Sequence, residues 1–390
     1  MQIKVASRME EYEEGIFQLL NEQRIEKERR GEKVYNLSVG TPDFPPAQHI
    51  VDAVVEAAKK PENYKYSLGE LPQLIQAVID RYRVRYGVCL EENEIMSVYG
   101  SQEGLAHIGL SLCDSGDIVL VPNPGYPIFE IGSSLAGAEV VPYMLYPERN
   151  YEPSFEEIPK SILEKTRYMI VSYPLNPICK CAPQGFYERL ITWARENEII
   201  IIHDNAYSDI TFDGRTGSSF LAYPGAKDVG VEYYSLSKSF NYTGARVSFL
   251  VGNAQVVQNF KKLRSQIDYG TFLPVQYGAV AALTGTDDQV VWQRNEYEKR
   301  RNALCRGLSR IGWKVKDSEG TMFAWAKIPE KFGSDDVEFV KRLLDATGVL
   351  CTPGSSFGSL GKGYVRFALT LPVEVIKEAV NVIDVSGILK

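Results

Sequence analysis

Ile199-Ile200-Ile201-Ile202-His203-Asp204-Asn205-Ala206-Tyr207 sets four isoleucines in a row ahead of an acid and a turn-forming asparagine. A short apolar run bounded by turn residues reads as a buried strand, of the kind that fills the middle of a parallel sheet. Asp204 then stands at the carboxyl end of a buried strand. A carboxylate in that position needs a partner, or else serves as an ordinary cap or turn residue.

Working outward, further apolar runs at 118–121, 139–143, 168–173, 232–235 and 247–251 alternate with amphipathic stretches at 103–113, 127–136 and 183–197. Strands alternating with helices between residue 95 and about 252 predict an α/β domain with a mostly parallel central sheet. In such sheets ligands sit outside the carboxyl ends of the strands, so the loops that follow these runs are where chemistry is expected.

The flanks read differently. Residues 10–31 predict a helix with Ile16, Leu19, Leu20 and Gln23 on one stripe and Gly31 as its stop. An extended piece at 35–40, a proline-rich turn at 41–46 and a helix at 47–60 follow. Long polar helices are expected at 254–268 and 287–311. The tail predicts strands at 313–315, 322–326 and 364–369 and helices at 335–347 and from 372, which makes a smaller α+β unit. The expected division is an N-terminal arm with part of the small domain (1–44), a large domain (45–285), and a linking helix with the C-terminal small domain (286–390).

At 390 residues the chain suits one large and one small domain. A net charge of −7 offers no footprint for nucleic acid. The start, Met1-Gln2-Ile3-Lys4-Val5, turns acidic at Glu10 and lacks a signal core, and no run of about 18 apolar residues occurs, so a cytoplasmic location is expected. Six scattered cysteines read as free thiols. The lone Cys179-x-Cys181 pair lacks a second ligand pair, so no metal site is expected.

Six segments then carry the chemistry. Ser235-Leu236-Ser237-Lys238 follows an apolar run, with Arg246 eight residues after the lysine. Serine hydroxyls and an arginine fork suit a phosphate, and a lysine among them can hold an aldehyde as an imine, although alone the segment also reads as a solvated turn. Asp204 suits a pyridinium nitrogen, and Tyr207, three residues on, either directs its hydroxyl to the same ligand or, as is commoner for a lone tyrosine, simply packs. Asn176, between Pro174 and Pro177, is an amide on a stiff strand-end loop. Ser101 and Gln102 open a helix whose first N–H groups suit a phosphate or are simply capped. Tyr126 in Asn123-Pro124-Gly125-Tyr126-Pro127 suits stacking on a planar ring or is simply a half-buried turn tyrosine. Arg366 interrupts an apolar strand and needs an anion, for which a substrate carboxylate is the bidentate choice.

In this order and spacing the segments resemble the class I/II aminotransferases, pyridoxal 5'-phosphate (PLP) enzymes of fold type I. The resemblance runs from Leu37-Ser38-Val39-Gly40-Thr41-Pro42-Asp43-Phe44 to the Arg366 strand. Asn176 to Asp204 spans 28 residues, Asp204 to Tyr207 three, and Lys238 to Arg246 eight. The resemblance implies Lys238 as the Schiff-base lysine and proton shuttle, and Asp204 as partner of the ring nitrogen. Tyr207 and Asn176 would be donors to the ring oxygen. Ser235, Ser237 and Arg246, with the Ser101-Gln102 turn, would form the phosphate cup, and Tyr126 would stack on the ring. Arg366 would anchor the α-carboxylate with help from the Gly40 backbone. Tyr66 would reach the phosphate of a neighbouring subunit, which makes the enzyme a homodimer with shared sites. The large domain would be the PLP-binding one.

Within the class the chain is most similar to LL-diaminopimelate aminotransferases, through Gly100-Ser101-Gln102-Glu103-Gly104, Glu232-Tyr233-Tyr234-Ser235-Leu236-Ser237-Lys238 and Thr352-Pro353-Gly354-Ser355-Ser356-Phe357-Gly358. It departs from the family pattern at Ile178-Cys179, where Thr-Gly is usual, and at Gln102, where that subgroup usually has lysine. Ala245 replaces a tryptophan, Ile75 an arginine, and the loop after Tyr66 is one residue shorter. The implied reaction moves an amino group between an L-amino acid, LL-diaminopimelate or a relative of it, and a 2-oxo acid such as 2-oxoglutarate. The same cofactor residues also suit a β-lyase or a decarboxylase. A PLP-sensing regulator would need a DNA-binding domain for which the N-terminal helix is too short.

Overall fold

The computed structural model describes residues 3–7, 9 and 16–390. The first strand, β1 (Tyr35–Asn36), belongs to the tail's neighbourhood and not to the main sheet. The main sheet is built from β2 (Ile95–Val98), β3 (Ile118–Asn123), β4 (Glu139–Met144), β5 (Thr166–Val171), β6 (Ile200–Asn205), β7 (Gly230–Ser235) and β8 (Ser248–Gly252), in the order β2-β8-β7-β6-β5-β3-β4. Pairings from β7 through β4 are parallel, and β8 lies antiparallel to both β7 and β2. One reversed strand in seven makes the sheet mostly parallel, as expected. The six apolar runs fall on β3 to β8, whereas β2 and the helices Pro72–Tyr86 and Leu273–Thr284 had no counterpart in the expectations.

Helices cover both faces, and the strands alternate between two cores. On β6, Ile201 packs with Leu74 and Phe186 on one face, while Ile202 packs with Ile108 and Val231 on the other. With both faces dry, the strands read as continuous apolar runs and not as alternating ones. The helix Pro72–Tyr86 shows the usual punctuation: proline at its first position and Gly87 at φ 69° closing it.

The tail forms a three-stranded antiparallel sheet from β9 (Phe323–Lys327), β11 (Thr352–Pro353) and β12 (Tyr364–Ala368), in the order β11-β12-β9. β10 (Val349–Leu350) pairs in parallel with β1, which ties the N-terminal segment to the tail. Leu37, Leu304, Trp313, Phe339, Phe367 and Ile376 share a separate core there.

Two expectations need correction. Residues 313–315 are not a strand: Trp313 buries its ring against Phe339 and Phe367 and donates its indole N–H to Lys327 O at 2.7 Å. Ring packing sets that segment's course, with no ladder partner. The first helix covers Ile16–Arg29 and stops before Gly31. Leu20 is buried but Leu19 is exposed, so the stripe is narrower than the sequence implied, and residues 10–15 of the expectation lie outside the described residues.

Candidate active site

The carboxyl ends of β2, β3, β5, β6 and β7 open onto one edge of the sheet. Because β8 runs the other way, its amino end, with Arg246 just ahead of it, arrives at that same edge. A cavity of about 930 Å³ lies there, closed on its far side by Phe323 and Arg366 of the tail. Ser101, Gln102, Tyr126, Asn176, Asp204, Tyr207, Ser235, Ser237, Lys238, Arg246, Gly40 and Arg366 all line it. Residues up to 326 apart in sequence are thereby brought to one hollow. Tyr66 does not line it: it is 80% exposed on the surface, its ring 4.8 Å from that of Tyr269.

Lys238 stands in the short helix Leu236–Ser239 that directly follows β7, and Ser235 caps that helix by accepting the Ser237 N–H at 3.2 Å. Its ammonium donates to Gly40 O at 2.7 Å. Burial, then the positive charges of Arg366 and Arg246, push its pKa down to about 8. A desolvated amine among cations loses its proton easily, which is the state a nucleophile needs. Gly40 therefore meets Lys238 through its carbonyl. A Cβ on it would lie 2.3 Å from the Phe323 ring, so only glycine permits this approach.

Asp204, next to last in β6, has a buried carboxylate. Its Oδ1 has no hydrogen-bond partner among the described residues, and burial raises its pKa to about 7, with the nearby Glu232 adding to the rise and His203 opposing it. A carboxylate left this way is costly unless a donor arrives. A protonated ring nitrogen is such a donor. Behind it, Glu232 on β7 is fully paired with His203, Tyr82, Ser219 and the Phe220 N–H, so the second buried acid has no such vacancy.

Arg366 on β12 is buried and lies between two rings, its guanidinium 4.0 Å from the Phe323 centroid and 4.6 Å from that of Phe357. It donates to Asn176 Oδ1 at 2.9 Å and to Ser38 O at 3.1 Å, and no described acid pairs with it. Burial lowers its pKa to about 10. A desolvated arginine with only neutral acceptors is suited to a carboxylate ligand. Since Asn176 accepts through Oδ1, its amide NH₂ is left as a donor toward the cavity.

The anion cup is more interlocked than the sequence implied. The Ser101 N–H is taken by Ser248 Oγ at 3.1 Å, and Ser248 Oγ donates to Ser235 Oγ at 3.0 Å. The helix Ser101–Leu112 therefore offers its Ser101 hydroxyl, not that amide. Arg246, at φ 55°, rests its fork on Thr243 O and Tyr99 O. Tyr126 donates to Gln102 Oε1 at 3.1 Å across the mouth. Ser38, Ser248, Phe323 and Phe357 escaped the sequence reading. A lone serine or a single aromatic carries no local signal that separates a site from a core. The altered loop is held as well: Cys179 adopts φ 65°, a region that favours glycine, while its carbonyl accepts the N–H groups of Glu319 and Gly320.

A flat heteroaromatic ring carrying an aldehyde, a basic nitrogen and a phosphate fits these groups, with the unpartnered Asp204 Oδ1 as the test that it passes. The comparisons agree. LL-diaminopimelate aminotransferase from Moorella thermoacetica is 38% identical over 378 residues, covering 96% of both chains. Glutamate-pyruvate aminotransferase AlaC from Escherichia coli is 38% identical over 372 residues, covering 94% of this chain and 90% of its own. Among solved structures, substrate-bound BacF from Bacillus subtilis superposes with a TM-score of 0.95 at 34% identity, covering 100% of this chain and 99% of its own. The sheet with one reversed strand is thus that of the fold-type-I PLP enzymes. The family model for aminotransferase class I and II matches residues 32–383, and with the relatives aligned end to end, the chain belongs to that family.

Proposed function

We propose that this PLP-dependent aminotransferase works as a cytoplasmic homodimer with shared sites, and that its amino donor is LL-diaminopimelate or a related amino acid, with a 2-oxo acid such as 2-oxoglutarate as acceptor. The donor class rests on the names of relatives such as the Moorella enzyme. The observation that carries the site assignment is Lys238 and Asp204 lining one cavity, burial moving the pKa of each toward the neutral form.

When bound, PLP supplies an aldehyde that condenses with amines and a protonated ring that withdraws electrons from the substrate's Cα. The chain's residues do the rest. Lys238 Nζ would be the amine that holds the aldehyde and, as a free amine, the base that would take the substrate's Cα proton and return it. Asp204 holds the proton on the ring nitrogen. Asn176 Nδ2 and the Tyr207 hydroxyl donate to the ring oxygen. Ser101, Gln102, Ser235, Ser237 and Arg246 take the phosphate, joined by Tyr66 of the second subunit, and Tyr126 stacks on the ring. Arg366 clamps the substrate's α-carboxylate beside Gly40.

A donor screen tests the substrate assignment. LL-diaminopimelate should bleach the cofactor's absorbance, and a 2-oxo acid should restore it. Bleaching by other amino acids with none by LL-diaminopimelate would overturn the donor. Release of ammonia without transfer would overturn the reaction class.

A further inference from the structure

Glu103 is an unexpected residue beside an anion cup. It lies in the first turn of the helix Ser101–Leu112 and lines the same cavity as Arg246. An unpaired carboxylate there would repel a phosphate. Its charge is instead neutralised from behind. Arg264, the last residue of the helix Ala254–Arg264 and only 7% exposed, donates Nη1 to both carboxylate oxygens at 2.6 and 2.5 Å. His107 Nδ1 lies 2.7 Å from Oε1, one turn along.

The carboxylate also reaches forward. Glu103 Oε2 accepts the Tyr99 N–H at 3.0 Å, and Tyr99 O accepts Arg246 Nη2 at 3.3 Å. The residue between this turn and the helix is Gly100, at φ 85°, where a Cβ would stand 2.2 Å from the same Nη2. The Arg264 guanidinium further covers the Tyr99 ring at 5.2 Å, and the Tyr99 hydroxyl donates to Tyr269 O at 2.9 Å. The strand-end turn that supports the Arg246 fork is thus fastened at its N–H, its ring and its hydroxyl.

We propose that Glu103 and Arg264 are positioning residues for the cofactor phosphate, a part-buried clamp that fixes the Tyr99–Gly100 turn and cancels the Glu103 charge beside the cup. The inference rests on the reading of Arg246 and the Ser101-Gln102 turn as the phosphate site. The pair acts through Tyr99 and Arg246, so it governs cofactor affinity through the phosphate and leaves the chemistry at Lys238 alone. Loss of Arg264 would loosen the turn and leave the carboxylate at the cavity without its guanidinium, both against the phosphate.

The experiment strips the full-length enzyme of cofactor and titrates it with PLP and with pyridoxal, which lacks the phosphate, following absorbance. For Arg264→Gln the PLP Kd should rise about tenfold or more, pyridoxal should stay within about twofold, and kcat at saturating PLP within about threefold. Arg264→Lys, which keeps the charge but not the fork, should weaken PLP by about three- to tenfold and serves if the glutamine variant fails to fold. The double variant E103Q/R264Q should regain most of the affinity, since a glutamine oxygen still accepts the Tyr99 N–H without the charge. Unchanged PLP affinity in R264Q or R264K, or equal losses for PLP and pyridoxal, would overturn the clamp. Unaltered enzyme that holds pyridoxal as tightly as PLP would instead overturn the phosphate-cup reading beneath it.

Discussion

Lys238, Asp204 and Arg366 are three ionisable side chains folded into one hollow with no opposite charge paired to any of them among the described residues. Burial moves each pKa toward the neutral form, and each departure has a measurable sign. For Lys238 the folded value, about 8, lies below the ordinary lysine value, so the amine is neutral above about pH 8 and protonated below it. Capture of PLP by stripped enzyme should therefore accelerate as pH rises through about 8, read as the rate of appearance of the lysine-bound absorbance. Lys238→Ala should abolish both that band and turnover. Asp204 is the reverse case. Its folded value, about 7, lies above the ordinary carboxylate value, so the folded form holds its proton more tightly than the unfolded chain. The penalty is absent below about pH 4 and grows as pH rises toward 7. Stripped Asp204→Asn enzyme should be more stable than the unaltered chain at pH 8 by about 1–3 kcal/mol in urea unfolding, while its activity falls by about two orders of magnitude or more. A variant that is less stable at pH 8 would mean that Asp204 already has a partner.

At the scale of elements, the site is made of strand ends and the turns that leave them. The strands were legible because both faces of the sheet are dry, so each one is a nearly unbroken apolar run, as at Ile199–Ile202. Segment 313–315 misled because Trp313 is apolar for a ring-packing reason, and local pattern does not separate a buried ring from a ladder position. Ser248 was invisible for a related reason: its role is to bridge the Ser101 amide and the Ser235 hydroxyl, two partners more than ten residues away that only the sheet order makes neighbours. The turn after β2 gives the element-scale prediction. Gly100→Ala imposes a positive φ on alanine and pushes its Cβ into Arg246, so PLP affinity should drop by about tenfold or more, with the change seen in equilibrium titration. Retained affinity would show that Arg246 need not hold its observed place.

At the scale of the whole molecule, the tail's Arg366 and Phe323 close a cavity whose floor is the main sheet. Tyr66 does not line that cavity and is exposed, as are Tyr64, Leu68, Tyr269 and Phe272. Tyr64 and Phe272 make an edge contact at 5.4 Å, and Ser67 bridges to Gly270. If this surface meets a second copy, two defective subunits should complement each other. Mixing equal amounts of Lys238→Ala and Tyr66→Ala subunits should make about half of the dimers hybrids with one intact site each, regaining about a quarter of the activity of the unaltered enzyme. A monomeric mass in solution, or no regain on mixing, would sink shared sites.

What the sequence by itself determined was the alternation of dry strands and helices, and the chemical identity of the groups at strand ends. These are local properties, written in apolar runs and in the residues that interrupt them. Only the tertiary structure decided which groups are paired and which are left wanting: that Glu232 is fully satisfied while Asp204 is not, and that Glu103 is neutralised from a helix 161 residues away. Charge state and pairing depend on what distant segments bring within about 3 Å, and no periodicity along the chain encodes that distance.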